Sequence, residues 1–264
     1  MITVLKLGGE LLEDAAAMRT AAAGVGALVA DGGAVVVHGG GRAIDADLRA
    51  RGRAPQFVDG LRITDEDTLT TVIGVLAGRI NTGFVATLVA AGVKAVGLTG
   101  ADAATAVCRH APELVSTSGQ SINLGLVGLP EHGGAPLLTD LLSLGYVPVL
   151  ASIGVTRDGE LLNVNADVLA AHVARTVKAD RLIVAGATAG VFDESGATCA
   201  ALDVAAATAM VAAGTARDGM VAKLGACLDA LAGGVADVRI VDGRGGAYLE
   251  AGGTRVQHHA HDLV

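Results

Sequence analysis

The chain has 264 residues, of which 52% are hydrophobic, and its mean hydropathy of +0.54 supplies a large two- or three-layer core and excludes disorder. Its 27 acidic against 19 basic side chains give a formal charge of -8, which weighs against nucleic acid and anionic membrane surfaces unless positive charge is gathered locally. With no Trp and only Phe57, Phe84, Phe192, Tyr146 and Tyr248 as aromatics, stacking on bases has no platform, and the core must be built from Ala, Val, Leu and Ile.

The first predicted unit is a strand from Thr3 to Leu7, a Gly8-Gly9 turn and a helix over Ala15 to Ala30. The unit repeats as a strand Ala34 to Val37, the turn His38-Gly39-Gly40-Gly41 and a helix Arg42 to Arg51. A longer helix is expected from Asp65 to Ala91, with Thr64 as its N-cap and acids in its first turn. Val93 to Leu98 and Val147 to Leu150 are continuously apolar, as strands of a parallel sheet covered on both faces are. Thr105 to Gly128, with pieces such as Glu113-Leu114-Val115, predicts a hairpin excursion beside the site. Beyond Ile153 the expected order is helix Ala166 to Val177, strand Arg181 to Val184, helices Val204 to Ala213 and Met220 to Ala232, and strand Val238 to Val241. No Pro- or Ser-rich linker divides the chain, so we expect an α/β protein with two lobes on one continuous sheet, 1–160 and 161–264.

No uninterrupted apolar run approaches the roughly 20 residues a membrane span needs, and the N-terminus lacks a cleavable signal pattern; a cytoplasmic protein is the expectation. Cys108, Cys199 and Cys227 are odd in number and far apart, which predicts reduced, mostly buried thiols. The His258-His259-Ala260-His261 tail reads as a frayed terminus rather than a metal site.

Chemistry concentrates in five places. Lys6-Leu7-Gly8-Gly9 ends a buried strand with a lysine and two close-approach glycines, a seat for an anion. His38-Gly39-Gly40-Gly41 places a second set of amides at a helix N-terminus; His38 beside it reads as an orienting or packing histidine rather than an acid–base group. Neither loop has the Walker A or the GxGxxG spacing. Within Asp59-Gly60-Leu61-Arg62-Ile63-Thr64, Arg62 could grip a carboxylate or be an ordinary surface arginine. Asn163-Val164-Asn165-Ala166-Asp167 carries more polar side chains than one helix cap requires. Asp218-Gly219-Met220-Val221-Ala222-Lys223 puts a lysine near a helix start, where the dipole disfavours it unless an anion is close.

In order and spacing these pieces, together with Ser152-Ile153-Gly154-Val155, resemble the acetylglutamate kinases of the amino acid kinase superfamily over nearly the whole chain. The resemblance implies a three-layer αβα sandwich with a mainly parallel central sheet. It also implies transfer of a phosphoryl group from ATP to the side-chain carboxylate of N-acetyl-L-glutamate, the second step of arginine biosynthesis. By the same resemblance Lys6 and Lys223 are the catalytic cations and Asp167 the group that holds them. Gly8, Gly9, Gly186 and Gly190, with the two lysines, face the nucleotide, while Gly39, Gly40, Arg62 and Asn163 face the substrate. Mg2+ is expected to bridge the phosphates, held by phosphate oxygens and water with no dedicated set of protein ligands.

The chain departs from the family at Ala187, where an aspartate is common, and at Thr99-Gly100-Ala101-Asp102-Ala103, which lacks the usual lysine and paired glycines. With the first strand beginning at Ile2, the extra N-terminal helix of arginine-inhibited hexameric members is not expected, so a homodimer insensitive to arginine is. A carrier-protein-linked aminoadipate or glutamate kinase, and a non-catalytic amino-acid-binding regulator, are the alternatives; a Rossmann oxidoreductase lacks the third spaced glycine.

Overall fold

The computed structural model describes residues 1–58, 60–115, 121–193, 195–216 and 219–258. The first half comprises β1 (Ile2–Leu7), α1 (Ala15–Asp31), β2 (Gly33–His38), α2 (Gly41–Ala50), β3 (Phe57–Val58), β4 (Leu61–Arg62), α3 (Glu66–Ile73), α4 (Thr82–Ala90), β5 (Ala95–Thr99), β6 (Cys108–His110), β7 (Leu114–Val115), β8 (Ser121–Ile122), β9 (Val127–Pro130) and α5 (Pro136–Ser143). It continues through β10 (Val147–Ala151), β11 (Ile153–Val155), β12 (Leu161–Val164), α6 (Ala166–Thr176), β13 (Arg181–Gly186), β14 (Ala201–Asp203), α7 (Val204–Ala212), α8 (Gly219–Ala232), β15 (Asp237–Asp242) and β16 (Gly253–Gln257).

Eight strands form one sheet in the order β14-β16-β15-β13-β1-β2-β10-β5, parallel throughout except between β15 and β16. The continuous apolar runs become its central strands because both faces are covered. On one face Val4, Val35 and Val37 join a core with Leu169 and Val173 of α6 and Leu224 and Leu231 of α8. On the other, Leu5, Leu7 and Val36 pack with Val25 and Leu28 of α1 and Phe84 and Leu88 of α4. The result is the expected αβα sandwich. Side chains of a strand alternate between faces, so Lys6 shares a face with Val4 and is delivered to the α6/α8 side.

The excursion expected between Thr105 and Gly128 holds β6, the β7/β8 hairpin and the start of β9, and it is completed into a second sheet, β11-β12-β9-β6, by two strands from Ile153 onward. Helix α5, begun by Pro136 at its first turn, and strand β16 were not among the expected elements. Nor does Thr64 cap the long helix: Asp65 does, its carboxylate accepting from the Thr68 amide at 2.8 Å. Thr64 is instead fully buried beside the site.

From Glu66 to Ala90 the helix is continuous, α3 and α4 being joined by a π-helical segment, Gly74–Asn81. By length and composition it is apolar enough to cross a membrane. Its Leu69, Val72, Leu76, Ile80, Phe84 and Leu88 are nevertheless buried against the protein, and Arg79 pairs with Asp47 at 3.4 Å, as befits a helix amphipathic against its own core.

Candidate active site

The glycine turns after β1 and β2 open at the same edge of the sheet because the strands are parallel neighbours, Leu7 lying beside His38. Their backbones touch: a methyl group on Gly9 would stand 2.6 Å from the Gly40 α-carbon, closer than any real side chain tolerates, so only glycine permits this approach. Between them and the β11–β12 region lies a cavity of about 220 Å³ whose walls include Lys6, Gly8, Gly9, Gly39, Gly40, Arg62, Asn163 and Asp167.

At its floor the Lys6 ammonium is 3.0 Å from Asp167 Oδ1, with both side chains more than nine-tenths buried. Lys223, reaching in from α8, stands 3.9 Å from Asp167 Oδ2. Asp167 is placed by its helix start: the Asn165 side chain accepts from the Asp167 and Val168 amides at 2.8 and 3.2 Å, the cap expected there. Burial pushes the Lys223 pKa down, and the nearby Lys6 charge pushes it further, while Asp167 and Glu10 oppose both. Two cations thus share one buried carboxylate, an arrangement that leaves positive charge available to an incoming anion.

On the substrate side Arg62 is buried, which removes the surface-arginine alternative. Its Nη2 donates to Asp45 Oδ1 at 2.6 Å, its guanidinium lies 4.6 Å from the Phe57 ring centroid, and Nη1 has no partner among the described residues. A buried unpaired guanidinium donor lining a cavity is prepared for an acceptor from a ligand. Asn163 donates to Thr64 Oγ1 at 3.0 Å, and Thr64 in turn donates to the Arg62 carbonyl at 3.3 Å, so the arginine strand and the Asn-Val-Asn strand are tied together. Asp59 and Asp218, the first residues of two of the motifs, lie outside the described residues.

His38 is fully buried, and burial lowers its pKa from 6.5 to about 4. Asn81, on the π-helical segment, donates one amide hydrogen to the Val149 carbonyl at 2.8 Å and stands 3.1 Å from His38 Nε2. Nε2 then accepts and Nδ1–H donates to the Gly39 carbonyl, 3.1 Å away. The histidine orients the second glycine loop, as expected from sequence, through a partner that sequence did not indicate.

Behind Lys223 a second, mostly apolar cavity of about 350 Å³ is bounded by Thr188, Val191, Phe192, Met210, Met220 and Lys223, among others. Thr188 Oγ1 is buried there without a partner among the described residues. Gly186 ends β13 near Lys223 and Glu10. Gly190, at a φ of 138°, borders neither cavity; a methyl group on it would meet Thr254 Oγ1 at 2.6 Å, so its glycine serves packing of the loop. Residues the sequence reading missed are Glu10, Phe57, Thr64, Asn81 and the lining of this second cavity. Of these, the charged Glu10 directly after Gly8-Gly9 was the one visible signal.

Residues 1–242 match the family model described as the amino acid kinase family. A protein of Geotalea daltonii named acetylglutamate kinase is 38% identical over 91% of this chain and 84% of its own. Among solved structures, smu.665 from Streptococcus mutans UA159 superposes with a TM-score of 0.84 at 25% identity, covering 98% of this chain and 99% of that one. An N-acetylglutamate synthase from Neisseria gonorrhoeae, complexed with coenzyme A and N-acetyl-glutamate, shares the fold with a TM-score of 0.82 at 24% identity over 98% of this chain and 60% of its own. Paired glycine loops, a buried Lys–Asp–Lys cluster and this likeness over most of the length lead to one conclusion: the chain belongs to the amino acid kinase family, among the acetylglutamate kinases.

Proposed function

We propose that the protein phosphorylates the side-chain carboxylate of N-acetyl-L-glutamate with ATP, giving N-acetyl-L-glutamyl 5-phosphate and ADP, the second step of arginine biosynthesis. The observation that carries this is the cluster in which Asp167 stands between Lys6 at 3.0 Å and Lys223 at 3.9 Å, at the junction of a polar cavity with Arg62 and an apolar one with Thr188. In the reaction a carboxylate oxygen bonds to the γ-phosphorus while the bond to the β–γ bridging oxygen breaks, and ADP departs with that electron pair. No proton has to be removed. The difficulty is mutual repulsion of two anions, so positioned cations and backbone amides are the main catalytic resource.

Lys6 and Lys223 supply that charge, and Asp167 keeps them 3–4 Å from its own oxygens. The amides of Gly9 and Gly40 donate to phosphate or to the attacked carboxylate, whereas the Gly8 amide expected to join them is already given to the Ala185 carbonyl at 2.9 Å; Arg62 and Asn163 hold the α-carboxylate and N-acetyl ends. The apolar cavity beside Lys223 suits the adenosine. Mg2+ arriving with the nucleotide would neutralise and align the phosphates. We further propose that residues 1–160 take the amino-acid substrate and carry a homodimer contact, that 161–264 take ATP, and that the protein works in the cytoplasm.

The test is ADP release, coupled to a fluorescent or absorbance readout, with N-acetylglutamate, glutamate and aspartate compared. Turnover is expected with the acetylated acid. Lys6→Ala and Lys223→Ala should each lower kcat by about 100-fold or more. Turnover on another acid with none on N-acetylglutamate would refute the assignment, and near-normal turnover in either variant would refute that lysine's role.

A further inference from the structure

We propose that Glu10 is the protein carboxylate that meets the divalent cation accompanying the nucleotide, and that it thereby makes tight nucleotide binding depend on that cation; the inference rests on the kinase assignment. Glu10 follows Gly8-Gly9 on a short 3-10 turn, Gly9–Leu12, and its side chain folds back into the site. Its Oε1 accepts from the Ala187 amide at 3.0 Å. The carboxylate also covers the α-carbon of Gly8, 2.6 Å from where a methyl group on that residue would sit, and Oε1 is 3.2 Å from the equivalent point on Gly186. It therefore rests between the two loops that close around the Lys6 and Lys223 ammonium groups, and it borders the same cavity as Lys6 and Asp167.

A carboxylate in a phosphate cradle is repelled by a polyphosphate at close range. Among the described residues, Glu10 near Lys223 offsets the one positive charge that Lys6 and Lys223 hold in excess of Asp167, so that excess becomes available to the phosphates only when Glu10 is itself neutralised. Of the two acids bordering the cavity among the described residues, Asp167 is already engaged by both lysines. Glu10 is engaged only through Oε1, and Oε2 has no hydrogen bond among the described residues. A small hard cation that keeps several waters is typically bound by one or two carboxylates together with phosphate oxygens. Glu10 supplies such an oxygen, and the cation converts its repulsion into a bridge.

The experiment is a thermodynamic cycle on the full chain. ATP is titrated into wild type, Glu10→Gln and Glu10→Ala by calorimetry, once in EDTA and once in excess Mg2+. Glutamine keeps an acceptor for the Ala187 amide, so that variant removes charge rather than the loop contact. Without metal the variants should bind ATP more tightly than wild type. With metal they should bind more weakly, so that the Mg2+-dependent gain in affinity shrinks about 5-fold or more. Mn2+ titrated in the presence of ADP and followed by electron paramagnetic resonance should be held correspondingly less tightly. An unchanged gain would overturn the assignment. Equal tightening with and without metal would also overturn it, marking Glu10 as a plug that moves aside. Failure of the wild type to bind ATP even in Mg2+ would overturn the kinase assignment itself.

Discussion

Lowering the pH from 7 to 5 should destabilise this protein through His38 in particular. Its imidazole is completely buried, and burial depresses its pKa from 6.5 to about 4. As the pH falls through 6.5 the unfolded chain takes up a proton that the folded chain refuses until about pH 4. The stability contributed by neutral His38 is therefore complete above the unfolded value and is lost as the pH falls to the folded one. A displacement of about 2.5 units corresponds to about 3 kcal/mol at about 1.36 kcal/mol per unit, and linkage places about 2 kcal/mol of it between pH 7 and 5. Urea unfolding of wild type and His38→Asn at both pH values isolates this contribution, because His172, also held below its ordinary value chiefly by burial, is common to the two proteins. The variant should show a decline in unfolding free energy smaller by about 2 kcal/mol. Parallel declines would refute the account, and with it the view of His38 as a neutral orienting group that donates from Nδ1 to the Gly39 carbonyl.

Gly9→Ala should reduce kcat by about 100-fold or more, because the added methyl group forces apart the two loops that meet at the Gly40 α-carbon and a misplacement of about 1 Å is enough for such a loss; steady-state turnover checks it. Asp167→Asn should cost about 3–5 kcal/mol of stability by leaving Lys6 as an uncompensated buried charge, measured by urea unfolding, and should lower kcat at the same time. Arg62→Lys, which replaces the planar fork held by Asp45 and Phe57 with a point charge, should raise KM for the acetylated acid about 10-fold while leaving KM for ATP nearly unchanged; equal changes in both would refute a substrate-side role.

Much of the fold could be read from continuous apolar runs ending in glycine turns, since a doubly covered parallel sheet requires both. β1, β2, β10 and β13 were legible for that reason, and strand alternation then explains why Lys6 emerges on the α6/α8 face. Lys6, Asp167 and Lys223 come together as the family resemblance implied; their residue types alone marked only separate anion seats and a helix cap. Other features were illegible for identifiable reasons. Thr64 and Asp65 are both good caps, and only burial at the β12 contact decides between them. A π-helical segment is invisible to a 3.6-residue period, so Asn81 could not be aimed at His38 beforehand. Phe57 gains its role only when the β3/β4 ribbon sets it beside Arg62. Strand β16, antiparallel to β15, reads Gly-Thr-Arg-Val-Gln and so offers no continuous apolar run to announce it.

The abutting backbones of Gly9 and Gly40 have a consequence for how this scaffold can diversify. Because the turns leave neighbouring strands, the offset between the proposed phosphoryl donor and acceptor seats is inherited from the interstrand spacing of about 4.8 Å, a length no side-chain exchange can alter. Substrate choice is then free to drift at the rim, around Phe57, Arg62 and Asn163, while the ruler beneath it stays constant.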